Sequence, residues 1–221
     1  MKNPWVIIAV FTVVLFGGAI WLSGQASTSS NEGVEIKSYV KGNPDATVKL
    51  VEYSDFQCPA CAAFQPVVKT VLDEYGDQIS FEYKHFPLSN IHPHALAVAM
   101  AVEAAGQQGK FYEFHDRVFE TQSEWSGLAV INPTLISIAE ELGLNVEQFK
   151  DQMRSSVLRD KVKSEFDEGR GLGVTGTPTF FLNGQKMQYD SYEAFLGQIA
   201  DAVNPNTTSS EVVGEDVKFG L

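Results

Sequence analysis

The only two cysteines of this 221-residue chain stand three positions apart in the run Cys58-Pro59-Ala60-Cys61. Thiols at that spacing can open and close as one disulfide, and a proline between them belongs to the start of a helix. A structural disulfide usually closes a longer loop, so a pair this close is kept for chemistry. The attacking species in disulfide exchange is a thiolate, and an ordinary cysteine of pKa ~8.5 is only about 3% ionised at pH 7. A helix beginning behind Cys58 changes this. The unpaired amides of Ala60 and Cys61, with the positive end of the helix dipole, favour the charged Cys58 sulfur. Cys58 is therefore read as the exposed nucleophile and Cys61, one turn into the helix, as the buried thiol that resolves the mixed disulfide.

The histidines offer a different chemistry. His85, His92 and His94 follow the cysteines, and two thiolates with imidazole would suit zinc or copper in a metal-binding chaperone. No second Cys-x-x-Cys exists, His92-Pro93-His94 reads as a loop before a helix, and His115 flanks an aromatic face. The expectation is no metal and no cofactor beyond the Cys58-Cys61 disulfide itself.

Elements must hold that pair. Val48 to Ser54 alternates and is β-rich, a strand running straight into the cysteine loop. After Pro59, apolar residues at Phe64, Val67, Val68, Val71, Leu72 and Tyr75 follow helical spacing, which makes Cys58 the N-cap. Pro66 falls inside the pattern and is expected to kink it. Ile79 to Phe86 reads as a second strand, on which Lys84 faces solvent or lends charge to the site.

Helices follow. Ala95 to Ala105 is alanine-rich up to Gly106, and Phe111, Phe114, Val118 and Phe119 form one apolar face, read as core rather than ligand site. Asn132 and Pro133 cap a segment with Leu135, Ile138, Ala139 and Leu142 inward, and Asn145 with Gln148 resembles a capping box for a helix ending near Ser155. Leu158, Val162 and Phe166 mark one more helix, broken by glycines at 169, 171 and 173. Thr179 to Leu182, the turn Asn183-Gly184 and Gln185 to Gln188 predict a hairpin, and Ser191 to Val203 a closing helix.

With those pieces in order, residues 34–203 resemble the DsbA-like family of extracytoplasmic thiol-disulfide oxidoreductases. The matching features are the Cys-Pro-Ala-Cys loop after a β run, Pro66 eight residues after Cys58, the helical block, and Gly176-Thr177-Pro178-Thr179. The resemblance implies an α/β thioredoxin fold with a helical insertion at about 92–172 between its halves. It implies a cis bond at Thr177-Pro178, with both residues binding substrate beside the cysteines. It also implies that Glu52, six residues before Cys58, is a buried acid that accepts or relays the Cys61 proton; a solvated strand residue is the alternative. Ala60 stands where the family's best-known member has a histidine, which keeps a reductase or isomerase open beside an oxidase.

The amino end sets the compartment. Trp5 to Leu22 is uncharged for eighteen positions, enough to cross most of a bilayer core as a helix, so residues 1–22 are read as a transmembrane anchor, with cleavage after Ala26 as the alternative. Lys2 before it, and no basic residue until Lys37, put the bulk of the chain outside the cytoplasm. Residues 23–33 are a Ser/Gly/Thr-rich linker and 204–221 a polar tail with an Asn206-Thr207-Thr208 sequon. A formal net charge of -12 argues against nucleic acid as a partner. The expected partners are reduced exported proteins or peptides and, as the resemblance implies, a membrane redox enzyme of the DsbB or vitamin-K-epoxide-reductase type.

Overall fold

The computed structural model describes residue 31 and residues 33–205. The expected span Trp5–Leu22, all but residues 31 and 33 of the linker, and residues 206–221 with the sequon lie outside them. Among the described residues no helix is long and apolar enough to cross a membrane.

Five strands form one mixed sheet. β1 (Val40–Gly42), β2 (Val48–Ser54), β3 (Ile79–His85), β4 (Thr179–Leu182) and β5 (Gln185–Lys186) lie in the order β1-β3-β2-β4-β5. Only β2 and β3 are parallel, because α1 (Pro59–Tyr75) carries the chain back between them. The Asn183-Gly184 turn has φ of 50° and 79°, the left-handed pair that a two-residue hairpin needs, and β5 proves shorter than the run to Gln188.

Alternation along β2 sorts its side chains between two faces. Leu50, Glu52 and Ser54 face α1, where Phe64 of α1, Phe180 of β4 and Phe195 of α8 (Tyr192–Val203) pack ring against ring. Each fully buried aromatic there contributes on the order of 2–3 kcal/mol. Tyr53 faces the other way, into a second cluster with Phe86, Val174 and Phe181.

Between β3 and β4 lie α2 (Ala95–Gln107), α3 (Phe111–Glu120), α4 (Gln122–Trp125), α5 (Asn132–Glu141), α6 (Val146–Gln152) and α7 (Ser156–Gly171). α2 is buried almost all round, and its alanines let α3, α5, α6 and α7 all approach it. Phe111, Phe114, Val118 and Phe119 are buried against this core.

Several local expectations are corrected by packing. β1 was not visible as a strand, being three residues long and paired only on the edge. α2 continues through Gly106, and Asn132 is the first residue of α5 and caps nothing. Asn145 does accept from the Gln148 amide, but α6 ends at Gln152, and Ser155 caps α7 instead.

α7 runs through Gly169 and ends at Gly171, with Gly173 beyond it in the left-handed region. At Gly169 a Cβ would lie 2.8 Å from the Tyr53 ring and 2.9 Å from the Phe86 ring, so the glycine is there for close approach. At Gly171 nothing would be met within 4 Å. Gly169→Ala is expected to destabilise by roughly 1–3 kcal/mol through overpacking. Gly171→Ala should stabilise by up to about 1 kcal/mol through helix propensity. Urea unfolding of the two variants reads both signs, and a stabilised Gly169→Ala would contradict the packing argument.

Candidate active site

Residues 55–57, between β2 and α1, are held chiefly by side chains, several of them from the inserted helices and the segment before them. The buried Asp55 carboxylate accepts from the Gln57 amide at Oδ1 (2.8 Å) and from the Leu88 amide at Oδ2 (2.8 Å), and the same Oδ2 lies 2.8 Å from His92 Nδ1. Gln57 donates to Ser126 O (2.8 Å) and accepts from the His94 amide (2.7 Å). Gln122 donates to Phe56 O (2.7 Å) and Cys58 O (2.9 Å). Asp55, Gln57 and Gln122 were missed in the sequence, where a polar residue in a loop or on a short helix has no local signal of burial. The insertion therefore fixes the backbone that presents Cys58.

Cys58 is the N-cap of α1, extended at φ -73° and ψ 121°, with Pro59 in the first turn. Its carbonyl accepts from the amides of Cys61 (3.1 Å) and Ala62 (3.2 Å). Both cysteines are free thiols. Contrary to an exposed nucleophile, Cys58 is only 8% accessible, and its Sγ donates to Thr177 O at 3.5 Å. The Thr177–Pro178 bond is cis, and the segment carrying it lies against the sulfur.

The two thiols are driven apart electrostatically. Cys58 is pulled down to about 5, first by the hydrogen bond from the Cys61 thiol, then against burial by Thr177 and by the backbone of Cys61 and Ala60. The helix amides contribute as the sequence suggested, but the neighbouring thiol contributes more. Cys61 is fully buried and its pKa is pushed well up, first by that burial, then by its bond to Cys58 and by the charge of Glu52. One sulfur is ready as a thiolate while the other keeps its proton.

Glu52 is completely buried on β2, which rules out the solvated alternative. Burial pushes its carboxyl up to about 7, against smaller opposing effects of Ser54 and Gln65. Gln65 Nε2 donates to Oε1 at 3.4 Å, whereas Oε2 has no partner. Register places Tyr83 beside Glu52 and His85 beside Ser54. The site thus joins Cys58, Cys61, Glu52, Thr177 and Pro178 at one end of the sheet, as expected from their positions.

The histidines are separately engaged. His85 Nε2 lies 3.0 Å from Glu103, His92 bonds Asp55, and His94 Nε2 lies 2.6 Å from Leu128 O. His85, Glu103 and Glu165 bring ligand atoms within 4.8 Å of one another, but Lys161 already bonds Glu103 and lies 3.2 Å from Glu165. That cluster carries its own cation. Lys84 pairs with Glu82 (3.3 Å) and Glu168 (3.4 Å), so its charge is spent on those carboxylates.

Comparison with known proteins agrees with this geometry. The family model described as Thioredoxin matches residues 35–201. Na(+)/H(+) antiporter NhaA 1 of Salinispora arenicola is 35% identical over 169 residues, which are 75% of this chain and 25% of that protein. Na(+)/H(+) antiporter NhaA of Herminiimonas arsenicoxydans is 33% identical over 175 residues, 79% of this chain and 27% of that protein. The chain spans about a quarter of the length of these curated relatives. Among solved structures, α-DsbA1 of Wolbachia pipientis superposes with a TM-score of 0.67 at 23% identity, covering 80% of this chain and 97% of that one. Oxidised BdbD of Bacillus subtilis gives 0.66 at 21%, covering 78% and 94%. At these identities the likeness is one of fold.

Proposed function

This chain belongs to the thioredoxin family, and on that premise we propose that it is an extracytoplasmic thiol-disulfide oxidoreductase that donates its Cys58-Cys61 disulfide to reduced exported proteins. The observation that carries this reading is the opposed pair of thiols, Cys58 drawn down to about 5 and Cys61 driven up. A client thiolate attacks Cys58 Sγ, the bond to Cys61 breaks, and Cys61 leaves as a thiolate that takes a proton from Glu52. A second client thiolate then attacks the client sulfur, and Cys58 leaves as a stable thiolate. The client is oxidised by two electrons and the protein ends as the dithiol.

The low Cys58 pKa favours this direction over the reductase reading that Ala60 left open, because stabilising the reduced form makes the disulfide more oxidising. Reoxidation falls to a membrane enzyme of the DsbB or vitamin-K-epoxide-reductase type, and an anchor at Trp5–Leu22 would raise the frequency of their encounter. Thr177 and Pro178, next to the Cys58 sulfur, are the surface against which a client strand lies.

Equilibrating the full chain with glutathione buffers tests the proposal. A potential near the oxidising extreme of about -120 mV supports a disulfide donor, whereas one near the thioredoxin value of about -270 mV reverses the assigned direction. A chain that never equilibrates with glutathione is no oxidoreductase.

A further inference from the structure

The buried polar groups beneath Cys61 form a line. α1 runs back along β2, and one helical turn of four residues advances ~6 Å while two strand residues advance ~6.7 Å. The bond from Gln65 to Glu52 fixes that register. Four residues back along the helix is Cys61, and two residues forward on the same face of the strand is Ser54. Matched spacing therefore sets the Ser54 hydroxyl under the Cys61 thiol, one strand repeat from the Glu52 carboxyl.

Ser54 is 1% accessible, and among the described residues no group meets hydrogen-bond geometry with its Oγ. Glu52 Oε2 and the Tyr83 hydroxyl, on the same face, are equally buried and unpartnered. Yet the Ser54 hydroxyl bears on all three neighbours, favouring the ionised form of Cys61, Glu52 and Tyr83. A buried hydroxyl without a fixed partner costs free energy unless something uses it. It is also the side chain best made for passing protons, since one oxygen can accept and donate at once.

Gln65 meets solvent on its other side. With Pro66, Leu72, Tyr112, His115 and Phe119 it lines a groove of about 360 Å³ between α1 and α3. Besides Ser54, the groups that bear on Glu52 are Cys61 and Gln65 of α1, Tyr83 of β3, Tyr112 of α3 and Tyr189 before α8. None of these is a cation, so no fixed charge holds the carboxyl ionised.

We propose that the Ser54 hydroxyl carries protons between the Cys61 thiol and the Glu52 carboxyl, and that Glu52 exchanges them with solvent beside Gln65 in the groove between α1 and α3. This rests on the dithiol reading above. With oxidised glutathione as oxidant, the Cys58 thiolate attacks one sulfur and expels a glutathione thiolate. Cys61 then passes its proton to Ser54 Oγ while Ser54 passes its own to Glu52, and the Cys61 thiolate attacks Cys58 Sγ. The second glutathione thiolate leaves and takes a proton from solvent. Two electrons move from the protein to glutathione. Ser54 carries the proton itself, whereas Gln65 is a positioning residue acting through Glu52.

The test mixes the reduced full chain with oxidised glutathione, quenches in acid and counts the Cys58-glutathione adduct by mass. In Ser54→Ala the adduct should form at the wild-type rate but persist at least about tenfold longer at pH 7. The pH midpoint of its decay should shift upward from near the Glu52 value of about 7. A purely structural role predicts otherwise, because deleting an unpartnered buried hydroxyl leaves the melting temperature unchanged or raised. Wild-type decay with a wild-type pH profile overturns the relay and leaves the dithiol reading standing. An unaltered chain that oxidised glutathione neither modifies nor converts to the Cys58-Cys61 disulfide sinks both. Should Ser54→Ala not fold, Gln65→Leu decides the matter: a longer-lived adduct supports the route, and unchanged decay refutes it.

Discussion

Replacing Cys58 by serine is expected to abolish disulfide exchange, with no glutathione adduct and no oxidation of a reduced client, while the fold persists. Cys58 is the N-cap of α1 but makes no side-chain capping bond, so a serine hydroxyl suits the position at least as well. What is lost is charge. A thiol held down to about 5 from its ordinary value of 9.0 binds no proton in the folded dithiol at neutral pH, whereas the unfolded chain does. The depressed value therefore stabilises the reduced fold fully above about 9, and the contribution fades as pH falls through about 5. At pH 7 it amounts to roughly 2–3 kcal/mol. Because Glu52 titrates in both proteins, the stability advantage of reduced wild type over Cys58→Ser in urea titrations should shrink by that increment between pH 7 and pH 5. Alkylation of wild-type Cys58 by iodoacetamide should likewise keep its rate from pH 8 to pH 6 and halve near pH 5. A midpoint near that of a free thiol would remove the basis for assigning Cys58 as the nucleophile.

How much of this was legible follows from the range of each interaction. The Cys58-Pro59-Ala60-Cys61 loop, the strand before it and the helix after it are local patterns, and the structure realises them nearly residue for residue. The Asn183-Gly184 hairpin is equally local. Glu52 is a different case: its position came from resemblance, and its burial depends on Phe180 and Tyr83, its neighbours across the sheet from distant parts of the chain. Gln122 reaches back 64 residues to Cys58, and nothing about a glutamine on a four-residue helix announces that. Glycine punctuation misled for a related reason. Local rules end α7 at Gly169, but the Tyr53 and Phe86 rings need the space a side chain would fill, so tertiary packing carries the helix onward. The order of the thiol effects was hidden too, since a Cys61 proton can stabilise the Cys58 thiolate only once burial holds that proton in place.

Glu52→Gln is expected to stabilise the protein and slow it together. Glu52 is an acid whose folded value, about 7, lies above the ordinary 4.5, so between these pH values the folded state keeps a proton that the unfolded chain has released. The stability cost is absent below about 4.5, grows as pH rises and is complete above about 7. Its size is roughly 3 kcal/mol. A glutamine never ionises, and its oxygen can keep the bond from Gln65 while its amide meets the unpartnered hydroxyls of Ser54 and Tyr83. Urea unfolding should therefore show the variant more stable than wild type at pH 8 and equal to it at pH 4.5. The same change removes the acceptor for the Cys61 proton. The adduct on Cys58 should form normally and decay about a hundredfold more slowly, in line with the loss of one general base. A variant that gained stability yet resolved its adduct at the wild-type rate would show that Glu52 is buried for some purpose other than moving that proton. One that lost stability at pH 8 would show that the carboxylate is held ionised by a partner. Both results together would place the cost of the buried acid and the speed of the second thiol step in the same side chain.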